Sequence, residues 1–340
     1  MRLPRPSRVS LAIVIIVGVI LGDALPASAT SAGHADRDGA FTLVFLPDTQ
    51  IAVQNKPELF FAQTEWIVRN RRANDIRFVI HVGDLVEWPS RTTDWETAST
   101  AMSTLNHRVP YSVAVGNHDM DAWACGEPGT CDPHAAIEAD RSTTMFNTYF
   151  PRRMFERRRS FGGSFPRDAM DNSYFEFSAG GVDWLVLNLK YRPTADELAW
   201  ANRVVTRHPR QQVIINTHEY QRGAVRTPTG EQIWNELARR YANVQFVLSG
   251  HFSRAGARVD AGDAGNAVYQ IEADYQTYSL PDVNENSYLR LMAFDTRAGT
   301  VDVKTFSPYC ESTAECPAYK TDANNQFTLT GVQFPTDSDA

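Results

Sequence analysis

The chain has 340 residues and 43% hydrophobic content, enough to bury a sizeable core in one large domain or two ordinary ones. Its formal net charge is -7. That balance argues against a protein held mainly on duplex nucleic acid or an anionic membrane, since both need a basic face.

Arg2, Arg5 and Arg8 precede a short apolar run from Val9 to Leu21, and Ala27-Ser28-Ala29 follows. This is the layout of an export signal cleaved after Ala29, which places the mature chain outside the cytoplasm. The run is shorter than the ~20 residues that cross a bilayer, so no stable membrane span is expected after cleavage. Three Arg and Asp23 would leave with the signal, moving the charge to about -9. Residues 30–40 are small and polar and read as a flexible start, with a single domain over 41–340.

From residue 41 strands alternate with helices. The apolar run 41–46 leads into Asp48-Thr49-Gln50, and 57–73 reads as a helix with Asn55 as cap and Pro57 at its start. The run 76–82 leads into Gly83-Asp84-Leu85-Val86-Glu87. Trp95, Ala98, Met102 and Leu105 then form one helical stripe. The run 111–115 leads into Gly116-Asn117-His118-Asp119.

Residues 120–172 break the rhythm, and an insertion directly after such a motif reads as a functional loop or lid. Thr194-x-x-Glu197 and Thr229-x-x-Gln232 are capping-box patterns, each opening a helix. The run 212–216 leads into Thr217-His218-Glu219, and 244–249 leads into Gly250-His251. After Gly256 only short β-type runs follow, at 267–272, 288–294, 301–306 and 327–334, with no convincing helix. An α/β (α+β) fold of four layers, two mixed sheets packed as a sandwich and flanked by helices, satisfies both parts. The four cysteines fall into close pairs, Cys125/Cys131 and Cys310/Cys316, and read as two local disulfide loops in an oxidising compartment. Four cysteines allow three connectivities.

Five apolar strands thus end in Asp48, Asp84, Asn117, His218 and His251, with Gln50 nearby. In open α/β sheets, ligands bind outside the carboxyl ends of the strands, so five loaded ends predict one shared site. A bridging carboxylate with Asn and two His suits two cations a few ångströms apart. The mix suits iron, manganese or zinc better than calcium.

Asp48, Gly83-Asp84-x-x-Glu87, Gly116-Asn117-His118-Asp119, a lone His218 and Gly250-His251, in that order over about 41–253, resemble the calcineurin-like metallophosphoesterase superfamily. Asp48-Thr49-Gln50 and Asp274-Tyr275-Gln276 are similar to a secreted bacterial branch of it. The resemblance implies hydrolysis of a phosphate monoester or diester by a metal-activated hydroxide. It implies that Asp84 bridges two metals, that Asp48 holds the first, and that Asn117, His218 and His251 hold the second. His118 would donate the leaving-group proton, oriented by Asp119.

Two positions depart from the family pattern. Gln50 and Ser253 stand where the family often has His. What remains at the first metal is oxygen-rich: Asp48, Asp84 and the Gln50 carbonyl, with Tyr275 or Gln276 to complete it. The expected ions are iron, manganese or zinc at the His-containing site, and manganese, magnesium, calcium or iron at the oxygen-rich one.

Trp88 and Trp123 read as cleft walls, and Tyr220, Tyr275 and Gln276 as residues lining the substrate. His81 reads as a core histidine; His107, His134 and His208 read as surface. Glu87 reads as a surface group or one that supports the site from behind its ligands, and the cluster Arg152, Arg153, Arg157, Arg158 and Arg159 as a solvated face. The expected protein is a monomer acting on a small phosphorylated substrate. The alternative is a metal-dependent binder of a phosphorylated envelope component, with little or no catalysis.

Overall fold

The computed structural model describes residues 39–127 and 129–335. The expected signal sequence, 1–29, lies outside them. β1 (Ala40–Leu46), β2 (Ile76–His81) and β3 (Tyr111–Val113) run parallel in one sheet. A second sheet starts from the antiparallel β4 (Phe161–Phe165), β5 (Asn172–Ala179) and β6 (Val182–Leu189). It continues in parallel from β6 to β7 (Gln212–Thr217). After a small hairpin of β8 (Gln221–Arg222) and β9 (Val225–Arg226) come β10 (Val244–Ser249), β11 (Ala255–Ala261) and β12 (Ala267–Ala273). β10 and β12 extend the parallel set, and β11 is an antiparallel edge.

The chain then returns to the first sheet with β13 (Leu289–Asp295), β14 (Thr300–Phe306), β15 (Tyr319–Lys320) and β16 (Gln326–Thr330), all antiparallel. The strand orders are β15-β14-β13-β1-β2-β3, with β16 also on β14, and β11-β12-β10-β7-β6-β5-β4.

The alternation along each strand explains the layers. In β6, Trp184 and Val186 point into the core between the sheets, and Leu185, Leu187 and Leu189 into a second core. That second core is closed by α7 (Ala195–Arg207) and α8 (Pro228–Glu236) through Leu198, Val205 and Ile233. A strand buried on both faces reads as a continuous apolar run because each face meets a different layer. Between the sheets, Phe41 stacks on Phe294 at 4.7 Å and meets Trp184 edge-on at 5.6 Å. Each such side chain contributes about 1.5–3 kcal/mol by leaving water.

On the other flank lie α1 (Gln50–Asn55), α2 (Glu58–Asn70), α3 (Thr92–Ser103) and α9 (Pro308–Thr313). Phe60 of α2 packs on His81 at 5.9 Å, and Trp66 packs on Phe306 at 4.9 Å.

Several expectations change. The Thr194–Glu197 capping box forms in both directions. The second helix is capped two residues earlier than expected, because Pro228 takes the first helical position and Thr227 accepts the N–H of Gly230. The last third does contain helix: a 3-10 stretch, Leu280–Ser287, and α9, capped by Ser307 on the N–H of Cys310. The expected strand 327–334 ends at Thr330, where Gly331 turns the chain with φ of 69°.

The insertion 120–172 is a packed layer rather than a free flap. It carries a 3-10 turn (Asp121–Gly126), α4 (Pro133–Ala139), α5 (Thr144–Tyr149), α6 (Arg152–Phe155) and β4. Its Phe146, Phe150 and Phe155 are buried, and Tyr149 stacks on Trp95 at 5.8 Å. Cys125 pairs with Cys131 and Cys310 with Cys316, the local connectivity.

Candidate metal centre

Seven strands are parallel within their sheets: β1, β2 and β3 in one, and β6, β7, β10 and β12 in the other. Polar bonds across the sandwich bring their carboxyl ends together. Asn216 Nδ2 donates to the carbonyl of His81 at 3.0 Å, and His218 Nδ1 lies 3.0 Å from the carbonyl of Val82. A carbonyl only accepts, so Nδ1 of His218 carries the hydrogen and Nε2 faces the site.

Around that Nε2 stand Asn117 Oδ1 at 3.0 Å, Asp84 Oδ2 at 3.1 Å, His251 Nδ1 at 3.2 Å and Asp48 Oδ2 at 3.9 Å. Asp84, His218 and His251 offer donor atoms that all lie within 4.8 Å of one another. Two glycines permit the approach. A Cβ on Gly116 would lie 2.0 Å from Asp84 Oδ1, and one on Gly250 would lie 2.0 Å from Asp48 Oδ1. Asp48 is fastened by the N–H of His251, at 3.1 Å to Oδ2.

Asp84 is the hub. Its backbone is left-handed, with φ of 54°. Oδ1 accepts the N–H of His118 at 2.9 Å, and Oδ2 accepts Gln50 Nε2 at 3.2 Å. Its carbonyl accepts the N–H groups of Thr49 and Gln50 at 3.0 Å each. Below it, buried His81 receives the N–H of Gly83 on Nδ1 at 3.1 Å and meets Thr49 Oγ1 at 3.0 Å, so it braces the Asp48 and Asp84 turns as a core residue.

Asp119 does not orient His118. Its carboxylate accepts the N–H groups of Asp84 and Leu85 at 2.8 Å and of Gly116 at 2.9 Å. His118 is held by Glu87 instead: Nδ1 lies 2.8 Å from the Glu87 carbonyl and 3.3 Å from its carboxylate. Of the two readings of Glu87 the supporting one holds: it is buried, and Tyr278 Oη donates to its carboxylate at 3.3 Å. Nε2 of His118 turns toward Asp84 Oδ2, 4.0 Å away. Trp123 lies 4.2 Å from the His118 ring and Trp88 lies 6.4 Å from it.

The electrostatics follow from burying several carboxylates in one place. Burial raises Asp48 above the usual carboxylate range, and the charge of Asp274 raises it further. Burial would lower His218, but Asp84 and Asp48 raise it to about 10. Burial and the neighbouring His218 lower His251 to about 3. Desolvation works against Asp84, yet His218 and His118 hold it well below the usual range. In effect the cluster draws a positive charge to the point where Asp84, Asn117, His218 and His251 converge.

Residues 41–254 match the profile of the calcineurin-like phosphoesterases. The chain belongs to this family. YvnB, an uncharacterized protein of Bacillus subtilis (strain 168), is 33% identical over 277 residues, which are 79% of this chain and 20% of YvnB. Purple acid phosphatase PPD1 from yellow lupin (Lupinus luteus) seeds shares the fold with a TM-score of 0.54 at 13% identity, over 87% of this chain and 55% of that one. The calcineurin-like phosphoesterase YfkN from Bacillus subtilis aligns with a TM-score of 0.41 at 10% identity, over 88% and 94% of the two chains. The chain therefore spans about a fifth of YvnB and about half of the lupin protein.

For a calcineurin-like phosphoesterase the donor set fits metal ions. Two imidazoles, an amide oxygen and two carboxylates converge in a largely buried cluster, a set that suits borderline cations. Buried oxygens without partners point the same way: Gln50 Oε1 and Asp274 Oδ2 have no hydrogen bond. Such groups are costly unless something else satisfies them.

The other expected residues divide. Trp88 and Gln276 stay near the site, Gln276 beside Asp274, whose Oδ1 accepts its N–H at 2.8 Å. Tyr220 does not line a cleft: it is fully buried in the helix-side core, with its hydroxyl on Gln270 at 3.0 Å. Tyr275 does not complete the first site, because its hydroxyl meets Thr305 at 2.7 Å and Arg290 Nε at 2.8 Å. Tyr191, at the end of β6, was missed; its ring packs on His251 at 5.4 Å and His218 at 5.9 Å.

The Arg cluster lies at the other edge. Arg158 covers Tyr111, the first residue of β3, and Arg153, Arg157 and Arg159 line a cleft of about 1150 Å³ with Pro110, Asp183 and Gln211. His107 and His134 are exposed as expected, and His208 is half-buried.

Proposed function

We propose that the protein is an exported metal-dependent phosphoesterase that hydrolyses a small phosphate monoester or diester. The observation that carries this reading is the convergence of Asn117, Asp84 and His251 on His218 Nε2, within 3.2 Å, with His118 beside them. Asn117, His218 and His251 would hold one ion with Asp84, and Asp48 and Gln50 would hold a second with the same Asp84. When bound, such ions acidify water and neutralise charge on a phosphoryl group. Iron, manganese or zinc suits the imidazole side, and manganese, magnesium, calcium or iron the oxygen-rich side.

His118 does the proton work. The Glu87 carbonyl takes the Nδ1 hydrogen, so Nε2 is the nitrogen that faces the reacting group. From there it can protonate the leaving oxygen. Trp123 and Trp88 wall its ring and limit water on the leaving-group side. Export is supported by the signal layout of residues 1–29 and by the two local cystine loops. An acidic chain expected to act as a monomer would take a small substrate more readily than duplex nucleic acid.

The test is turnover of a chromogenic phosphodiester and its monoester analogue by the mature chain, stripped of metal and reloaded with manganese, iron or zinc. Metal-dependent turnover supports the reading, and the ratio of the two rates assigns the ester class. Metal uptake without turnover of either substrate would overturn it in favour of a metal-dependent binder.

A further inference from the structure

The oxygen-rich half of the centre lacks the imidazoles that Gln50 and Ser253 replace, and Ser253 is exposed. One more strand end reaches the same place. β12 lies parallel to β10 with Ser249 opposite Glu272. Two residues beyond that pair stand His251 on one strand and Asp274 on the other. The N–H of Asp274 donates to the carbonyl of Arg254 at 2.8 Å, which ties it to the loop after His251.

The Asp274 side chain behaves like an unfilled ligand. The residue is 1% exposed. Oδ1 accepts the N–H of Gln276, but Oδ2 has no hydrogen-bond partner. Among the described residues no Lys or Arg forms an ion pair with Asp274, Asp48 or Asp84, so these buried carboxylates have no side-chain cation except histidine. Asp274 lies close enough to Asp48 and to Asp84 for their carboxylates to interact. Gln50 gives its Nε2 to Asp84 and leaves Oε1 buried and bare. A solvent cleft of about 400 Å³, lined by Ser253, Asp274, Gln276 and Thr277, reaches Asp274 from outside.

We propose that Asp274 is a ligand of the first metal ion, and that with Gln50 it replaces the two imidazoles this chain lacks. The first site is then all oxygen: Asp48, Asp84, Asp274 and Gln50. The second keeps two nitrogens, from His218 and His251. Hard oxygen donors favour manganese or magnesium, and imidazole favours zinc or iron, so the two sites differ in preference. The proposal rests on the phosphoesterase reading only for the presence of a two-ion centre, and its test uses no substrate.

The mature chain and its Asp274→Asn variant are stripped of metal, equilibrated with manganese(II), and read by metal analysis and electron paramagnetic resonance. The wild type should hold two ions with a spin-coupled signal. Asp274→Asn should hold one, uncoupled, with affinity for the other reduced about tenfold or more. The metal-free variant should melt no lower than the metal-free wild type, because Oδ2 makes no hydrogen bond for the substitution to break; a merely structural Asp274 would give a lower melt. Two coupled ions in Asp274→Asn at wild-type affinity, or no second ion in the wild type, would overturn the proposal. If the variant does not fold, anomalous diffraction from manganese-loaded wild-type crystals decides. Oδ2 of Asp274 within about 2.3 Å of a peak is expected, and Oδ2 in contact with neither peak would overturn it.

Discussion

The carboxylate of Asp119 holds the backbone of Asp84 in place, accepting its N–H at 2.8 Å together with those of Leu85 and Gly116. Asp84 needs this support, since its φ of 54° is a left-handed conformation that costs a non-glycine residue about 1 kcal/mol. Asp119→Ala would leave three buried N–H groups without an acceptor. The expected loss is about 2–4 kcal/mol of stability, together with weakened metal retention. Urea unfolding and metal analysis on the same preparation check both; a variant as stable as wild type that keeps its metal would contradict this role.

His118 and Glu87 divide a different task. His118→Ala should lower kcat by about 10²–10⁴ with metal content unchanged, if its ring donates a proton rather than holding an ion, as proposed above. Glu87→Ala should cost less, because the Glu87 carbonyl that orients Nδ1 survives the substitution. Steady-state kinetics with metal analysis separate the two; equal losses would show that the carboxylate, not the carbonyl, does the orienting.

Much of the site was legible because five strands run apolar and then stop at a candidate ligand, which is how parallel strands announce a shared edge. The sandwich was legible from the same runs, since β6 and β7 feed two cores on alternate residues. What was not legible were side chains that serve the backbone. Nothing in Gly-Asn-His-Asp shows that Asp119 accepts three N–H groups while Glu87 takes His118. Asp274 lacked a glycine-histidine signature, so within Asp274-Tyr275-Gln276 only Tyr275 and Gln276 were given a place at the first metal. Tyr220 follows His218 closely in sequence, but the chain bends after β7 and drives the ring into the helix-side core. The α8 cap was misplaced because Pro228 determines the first turn more strongly than the Thr229–Gln232 spacing.

Acid sensitivity should arise partly far from the metals. Asp260 accepts Arg258, Arg226 and Gln270 within 2.7–2.8 Å on one oxygen. The Arg258 hydrogen bonds, then those of Gln270 and Arg226, hold its carboxyl well below the usual 3.8. A depressed carboxyl contributes its stability above the unfolded value and loses it as pH falls through the folded one. Asp260→Asn should therefore cost about 1 kcal/mol at pH 7, and the gap from wild type should narrow progressively as pH falls below 3.8. Thermal melts across that range check the sign.

The Arg-lined cleft stands at the amino ends of the strands, opposite the metal centre. Arg153→Ala and Arg157→Ala, which touch none of the donor residues, should leave kcat/KM on small phosphoesters within about twofold of wild type, as surface changes usually do. A tenfold loss in either would place substrate contact at this edge.

The most direct measurement is turnover of a chromogenic phosphodiester by the wild type and Asp84→Ala, each chelated and then reloaded with the same metal. Wild-type turnover that vanishes on chelation and returns with metal, with Asp84→Ala folded but slower by about 10³ or more, is the expected result. Turnover that survives chelation, or Asp84→Ala as fast as wild type, would contradict a metal centre built around Asp84.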